Sequence, residues 1–557
     1  MTSPAPHRAA GFVPAGERPR LLTDLLDGAV ARYPDRVAMD FLGRHWRYRD
    51  LAGLVEKAAR GLQDLGLKPG ERFALCLPNT PHFIILYFAV LRIGAIVVNV
   101  NPLYTKRELD HLLRDSGARM IAVPDLAQLY DKVAEVAPAA GVDKIVVCEM
   151  AGVLPWPKAL GFRLLKRREH AHYREDGRNI TFSHLVAGRG APAPVAMDTH
   201  DVAVLQYTGG TTGVPKAAML THGNLCANAW QQVLHTGKTI DTPERTLAVL
   251  PLFHVFALTA VLNFTMALAG EVVLLPRFDP RQVAQVMRAR RPTQFHAVPT
   301  IFVALSALPE GELPRLDGLQ CVSGGAPLPL EVRHQFEART GAIVIEGYGL
   351  SEASPIVACN PPEGTPKDNS CGRAFPETII EIRNPDHPEQ LMPQGEKGEV
   401  CVRGAQVMVG YWGRPEETAK VFIDGALRTG DIGYLDEDGF LFLVDRIKDV
   451  ILCGGYNVYP RIIEEAAYQH PAVEEAIVIG VADRYRGQAP KLFVKLHEGH
   501  SATPAEIRSF LEAYVSKIEL PREVEIRAQL PKTLVGKLSK KELVEEEARR
   551  AASTQAA

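Results

Sequence analysis

The chain has 557 residues, 46% hydrophobic and 23% charged, with a formal net charge of −2. That length exceeds what one core ordinarily serves, so more than one domain is expected. The near-neutral balance gives no reason to expect nucleic acid as a partner, and eight cysteines scattered from Cys76 to Cys453 without a C-x-x-C pair speak against zinc or a disulfide framework and for a reducing cytoplasm.

Residues 1–20 carry Pro, Gly and Arg rather than an apolar stretch, and read as an unstructured tail without a signal peptide. Residues 21–150 alternate helical and strand patterns: Leu51 to Leu65 at helical spacing, then Arg72 to Leu77 and Ile145 to Cys148 as strands. Such alternation predicts an α/β layer with a largely parallel sheet. The most apolar window, Phe83 to Val100, is broken by Arg92 and Gly94 before Ile96-Val97-Val98, so a buried helix followed by a buried strand is expected rather than a membrane span. Residues 154–176 mix Trp156, Leu160, Phe162, Leu164 and Leu165 with Lys158, Arg163, Lys166, Arg167 and Arg168. The segment reads first as a solvated surface excursion, with an amphipathic contact to an anionic membrane as the competing reading.

The chain is organised around Gln206 to Leu225, QYTGGTTGVPKAAMLTHGNL. An apolar run, Val202 to Leu205, leads into Thr208, Gly209, Gly210, Thr211, Thr212 and Gly213, with Lys216 three residues on. The glycines let consecutive N–H groups face one concavity, the hydroxyls add donors, and Lys216 adds a mobile charge suited to phosphate. The spacing is not that of a Walker A loop. Beyond it, four short apolar runs each lead into a polar or small-residue loop: Pro251–His254, Pro299–Thr300, Ser323–Pro327 and Glu346–Glu352. Loops at the carboxyl ends of parallel strands gather at one edge, which predicts that they meet the phosphate cradle.

Within those loops, Tyr348 between Gly347 and Gly349 suits stacking on a purine, or core packing. Glu352 suits Mg²⁺, or a helix N-terminus. Asp431 and Arg446 suit ribose binding, or a mutual salt bridge. His254 reads as a core histidine, or as an aromatic gate beside a carboxylate pocket. Phe256, Ala257, Leu258 and Leu262 to Leu268 are candidate walls for an apolar chain. Asp445 to Asp449 reads as a boundary, and residues 459–546 as a small α+β unit in which Thr503 to Glu506 forms a capping box and Ile507, Phe510, Leu511, Tyr514 and Val515 give the following helix its apolar face.

These strings, together with EGYGLSEASP, RGAQVMVGYWGRPEET and VDRIKDVILCGGYNVYP, resemble the motif set of the adenylate-forming superfamily of acyl-CoA synthetases, luciferases and peptide-synthetase adenylation domains, most of all bacterial long-chain fatty acid–CoA ligases. The resemblance runs from about Thr23 to Glu545. It implies an α/β fold: a large N-terminal domain of layered sheets and helices (21–445), a hinge at 446–448, and a small mobile α+β C-terminal domain (449–557). It implies ATP, Mg²⁺ and CoA, with Thr208 to Lys216 on the β- and γ-phosphates and Thr208 and Glu352 at the metal. Gly325, Ala326, Pro327, Gly347, Tyr348 and Gly349 would wall the adenine. Ser351, where the family usually has Thr, keeps the hydroxyl. Asp431 and Arg446 would hold the ribose, Lys448 would be the hinge residue, and Gly454, Gly455 and Tyr456 would face the pantetheine. Lys537 would be the adenylation lysine, with Thr208, His254 and Glu352 also in the reacting site. A second departure, Lys517-Ile518-Glu519-Leu520-Pro521 in place of a common Tyr-Lys-x-Pro, reverses a charge.

The implied reaction joins a medium- or long-chain fatty acid to AMP and then to CoA, in the cytoplasm or on the inner face of its membrane; a homodimer is left open. The rival readings are an acyl-AMP ligase serving a carrier protein, a ligase for an aryl acid, light-emitting oxidation, an amino-acid adenylation domain, for which the His254 loop offers no acid to hold an ammonium group, and a non-catalytic binding protein, for which Lys537 would have no use.

Overall fold

A computed structural model describes residues 18–208, 215–362, 366–453, 456–483, 486–533 and 537–556. The N-terminal tail expected over 1–20 therefore lies almost wholly outside the described residues, as do Gly209 to Gly213, Gly454 and Gly455.

The body is built on two large sheets. One has seven strands in the spatial order Asn179–Thr181, Lys144–Cys148, Met120–Pro124, Arg72–Leu75, Ile96–Asn99, Val202–Thr208 and Lys216–Thr221. All its pairings are parallel except the last, the antiparallel hairpin that carries the glycine-rich loop. Its inner strands are buried on both faces, with successive residues pointing to opposite sides. Thus Phe73 and Leu75 join the main core while Ala74 packs with Leu109, Leu112 and Val133 on the far side. The expected buried helix and strand are Pro81–Arg92 and Ile96–Asn99, the helix buried from Pro81 through Leu91.

The second sheet has nine strands. At its centre Ile343–Gly349, Gln320–Gly324, Gln294–Ala297, Arg245–Ala248, Glu271–Leu274 and Val37–Phe41 run parallel, and antiparallel strands flank both edges. The strand ending at Gly349 is longer than its apolar core, because antiparallel pairing with Ile356–Cys359 carries it through Gly347 and Tyr348. Asn79, from the first sheet's side, ties the two sheets together. Its amide donates to the carbonyls of Ala248 (3.1 Å) and Leu250 (2.9 Å), and its oxygen accepts from the Leu252 N–H at 2.8 Å. These bonds fix the course of the Pro251–His254 loop.

A five-stranded antiparallel sheet over 379–446 completes the body. The short turn Ile447–Asp449 separates it from a second five-stranded sheet over 451–526. In that smaller unit Ala476, Val478 and Leu492 face the helices Pro460–Tyr468 and Pro504–Leu511, while Ile477, Ile479 and Phe493 face Leu543 of the helix Lys541–Ala556. Lys491, 2% exposed, is satisfied by Glu523, Glu525 and Glu547 at 2.9–3.0 Å. Thr503 caps its helix from the Glu506 N–H at 3.2 Å, as the sequence predicts. That helix ends at Leu511, so Tyr514 and Val515 fall beyond it and Tyr514 is exposed.

Replacing Asn79 by Ala strands two carbonyls and one N–H in a buried place, each costing about 1–3 kcal/mol if unsatisfied. The expected loss is about 3 kcal/mol after partial relaxation, measured as a lowered midpoint of the main thermal transition.

Candidate active site

The carboxyl ends of the parallel strands, the antiparallel sheet and the small unit enclose one cavity of about 1460 Å³. Thr208 reaches it from the end of its strand. His254, Gly325, Ala326 and Pro327 reach it from loops after strands of the nine-stranded sheet, and Gly347, Tyr348, Gly349, Ser351 and Glu352 from the end of Ile343–Gly349 and the turn that follows. Asp431, Arg446 and Lys448 line it from the antiparallel sheet and the connecting turn, and Lys537 from the small unit.

Two candidates lie elsewhere. Lys216 pairs with Glu417 at 2.5 Å and lies 5.4 Å from the Tyr411 ring centroid, off the cavity wall. Lys216 is the register partner of Thr208, so both side chains leave the same face of the hairpin, and the ion pair with Glu417 is what holds the lysine's end away from the cavity. Tyr456 is 65% exposed and is likewise not among the cavity's lining. The chain-wall candidates divide too. Phe256 lines the cavity, whereas Ala257, Leu258, Leu262 and Met266 are buried in the main core. The wall on that side is made instead by Val322, Ile345, Cys359 and Phe375, with the polar Gln232, His235 and His296 among them.

Asp431 is the hub of the site. The Tyr348 hydroxyl donates to its Oδ2 at 2.6 Å, and Arg446 Nε pairs with its Oδ1 at 3.2 Å. The salt bridge read as one alternative is therefore present, and it follows from the antiparallel register that sets Asp431 opposite Arg446. Burial raises the Asp431 carboxyl above its ordinary value, while the Arg446 charge and the tyrosine hydroxyl oppose that rise. Arg446 remains 57% exposed at its side chain, leaving guanidinium donors to serve a ligand.

Glu352 accepts from the Tyr411 hydroxyl at 2.9 Å, and burial raises its carboxyl as well. Raised carboxyls gathered at one place call for a cation. Among the described residues the one metal-sized cluster, Asp40, His45 and Glu271, is elsewhere and is already neutralised by Arg290. One carboxylate with free coordination capacity fits Mg²⁺, which is commonly held by one or two carboxylates plus phosphate oxygens.

His254 Nδ1 accepts the Phe256 N–H at 3.3 Å, which leaves the Nε2–H tautomer. Burial, and then the Lys537 charge, lowers its pKa to about 3, so it is neutral throughout the physiological range. Lys537 is pushed down to about 8 by burial and then by Arg446. Its ammonium lies over Gly325, which has φ +81°, and a Cβ built there would meet Lys537 Cε at 2.5 Å and overlap its Nζ.

Sequence reasoning passed over the residues that seat the small unit on the body. Arg461 Nη1 donates to the Leu443 carbonyl at 2.9 Å, and its backbone N–H donates to Asp445 Oδ2 at 2.9 Å. Lys397 lies 5.2 Å from the Tyr459 ring centroid. For Tyr459 and Arg461 the one signal is position, shortly after the boundary at Asp445–Asp449; Lys397, in the body, carries none.

The class is now defined: an α/β body and a small C-terminal unit around a single site for a phosphate-bearing nucleotide. The chain belongs to the AMP-binding enzyme family, whose model matches residues 26–412, with the AMP-binding enzyme C-terminal domain matching 462–537. It is 41% identical to the long-chain-fatty-acid–CoA ligase of Bacillus subtilis over 538 residues, 95% of each chain. It is 34% identical to the feruloyl-CoA synthase of an Amycolatopsis species, covering 92% of this chain and 96% of the relative. Among solved structures, ATP-bound MatB from Rhodopseudomonas palustris matches with a TM-score of 0.82 at 28% identity, over 94% of this chain and 98% of the other. The same protein without nucleotide gives 0.74 over the same shares.

Gly325→Ala is expected to displace the flexible end of Lys537 rather than unfold the body, at a backbone cost of about 1–2 kcal/mol. ATP–pyrophosphate exchange should fall on the order of a hundredfold while the thermal midpoint moves little.

Proposed function

We propose that the chain is an AMP-forming fatty acid–CoA ligase acting on medium- to long-chain acids in the cytoplasm. One observation carries the reading: Lys537, on the far side of the Ile447–Asp449 turn, lines the same cavity as Thr208, Tyr348, Glu352 and Asp431. A store for nucleotide or acyl chain would not need an ammonium delivered from a separate unit. The B. subtilis relative supports the acyl chain as substrate.

In this reading residues 21–445 form the substrate-binding domain, 446–448 the hinge and 449–557 the cap. A carboxylate is a poor acyl electrophile because its leaving group would be oxide. Joining it to AMP supplies a good leaving group, so the carboxylate attacks the α-phosphate and pyrophosphate departs. Two anions must approach, which makes electrostatics and positioning the main catalytic contributions. Lys537 would offset charge on the α-phosphate and incoming carboxylate. Thr208, with Gly209 to Gly213, would donate to the outer phosphates, and Lys216 would join them by leaving Glu417. Tyr348, walled by Gly325 to Pro327, would cover the adenine, and Asp431 with Arg446 would hold the ribose. Glu352 and Thr208 would hold Mg²⁺, which neutralises phosphate charge when bound. His254, neutral and carrying its proton on Nε2, would donate toward the carboxylate. In the second half-reaction the CoA thiol, entering past Gly454, Gly455 and Tyr456, attacks the acyl carbon and AMP leaves. The cap must present another face for that step, and rotation about Lys448 supplies it.

Each CH₂ buried along the cavity contributes roughly 0.8 kcal/mol, so chain preference follows wall length. A second reading, a ligase for an aryl acid, is favoured by Gln232, His235 and His296 on that wall and by the feruloyl-CoA synthase relative. Competition between palmitate and ferulate for CoA separates the two: ferulate turning over faster would reverse the assignment.

Lys537→Ala should abolish acyl-AMP formation and spare thioester formation from supplied acyl-AMP; equal loss of both half-reactions would refute the division of labour. The pH dependence follows from the lysine. Its pKa of about 8 in the free protein means the charged form is lost as pH rises, so kcat/KM for adenylate formation should fall above about pH 8. His254 titrates near 3, so no limb is expected between pH 6 and 7. Pyrophosphate release measured across pH checks both.

A further inference from the structure

The strand Ala426–Leu435 delivers Asp431 to the cavity, and its pairing with Gly398–Arg403 is interrupted just where it does so. Glu399 lies opposite Ile432 and Cys401 opposite Arg428, so Thr429, Gly430 and Asp431 together face Val400 alone. The two residues that the ladder cannot pair stand out as a bulge, a device that re-aims a side chain beside a site. At its tip Gly430 has φ +74°, a left-handed conformation that a residue with a side chain resists.

A bulge of this size leaves N–H groups without ladder partners, and side chains must supply them. Thr429 Oγ1 donates to the Val400 carbonyl at 2.7 Å and accepts the Asp431 N–H at 3.1 Å. Glu399 Oε1 accepts the Gly430 N–H at 3.1 Å. Its Oε2 is held by Arg428, with Nε at 2.8 Å and Nη2 at 2.6 Å. The Glu399 side chain is only 3% exposed. A carboxylate so buried is sustained by its partners, and both its oxygens are already engaged inside the protein.

A structural salt bridge would need only the arginine. The bond to Gly430 goes further, because Gly430 immediately precedes Asp431. The Tyr348 hydroxyl at 2.6 Å and Arg446 at 3.2 Å fix the carboxylate end of Asp431, while Glu399 and Thr429 fix the backbone from which it projects. Without an acceptor the Gly430 N–H would be stranded, and the tip would turn to find another partner, carrying Asp431 with it. We propose that Glu399 is the positioning residue of the ribose site, setting through Gly430 the reach of Asp431 toward the nucleotide's hydroxyls. The proposal rests on the reading of Asp431 as the ribose acceptor and is independent of the acyl substrate.

The test is calorimetric titration of the full chain with ATP and with 2′,3′-dideoxyATP, each with Mg²⁺ and without an acyl acid. The readout is the ratio of the two dissociation constants. Wild type should bind ATP on the order of tenfold more tightly, and Asp431→Ala should remove that preference. Glu399→Asp keeps a charge beside Arg428 but draws the carboxylate back from Gly430. It should lose most of the preference by weakening ATP, with dideoxyATP affinity within about twofold of wild type. Glu399→Gln keeps the reach without the charge and should retain most of the preference; the thermal transition of each variant checks its fold. A preference lost in Asp431→Ala but kept in Glu399→Asp would strike the positioning role alone. So would equal weakening of both nucleotides in Glu399→Asp, or a loss in Glu399→Gln as large as in Glu399→Asp. A preference kept in Asp431→Ala would strike the ribose reading, and the positioning role with it.

Discussion

The site depends on an ammonium held where it is least at ease. Lys537 is partly stripped of water and faces Arg446, and both effects favour its neutral form. The arrangement is sustained by covalent geometry and by contacts away from the charge. Arg461 is bonded to the Leu443 carbonyl, and Asp445 accepts the backbone N–H that begins its helix. Those bonds set the small unit over the cavity, and a left-handed glycine at 325 leaves room for the lysine's end. An anionic ligand relieves the conflict, because phosphate charge restores what burial removes. Nucleotide charge would thus favour the seat that the small unit takes here over the cavity.

The same logic orders the carboxylates. Asp431 and Glu352 are both raised by burial, yet each has a different escape. Asp431 is already bonded by Tyr348 and Arg446, so it is a rigid acceptor. Glu352 has Tyr411 on one oxygen, which orients the carboxylate without neutralising it. A pre-bonded acid suits a neutral hydroxyl partner such as ribose, whereas an acid with spare coordination suits a cation. Position in the sequence does not make that distinction; hydrogen-bond partners do.

Much of this was legible beforehand because strand ends in parallel sheets have recognisable texture. The loops at Pro251, Ser323 and Glu346 follow apolar runs, and the fold brings them to one edge as the strand-end rule requires. The break at Arg92 and Gly94 separated helix from strand correctly. What was not legible is what depends on register and on distant pairing. Lys216 sits opposite Thr208 in a hairpin, and its ammonium goes to Glu417, 201 positions away. Periodicity carries no information about such a partner. Ala257, Leu258, Leu262 and Met266 looked suited to line a cavity, but they are buried in the main core, and composition alone cannot tell the two kinds of apolar neighbour apart. The outer walls of the pocket come from strands whose inward residues include Ile345 and Cys359, read only once the sheet's facing is known.

The segment 154–176 shows the converse failure, since its sequence was ambiguous between a solvated excursion and a membrane contact. Counting charges could not decide, because basic residues serve either role. Side-chain contacts show how its helix, Trp156–Leu165, is held. Lys158 is consumed by a backbone carbonyl at the edge strand Arg44–Arg47, so its charge is spent on fixing the helix, and the apolar residues are left outward by geometry rather than by lack of structure.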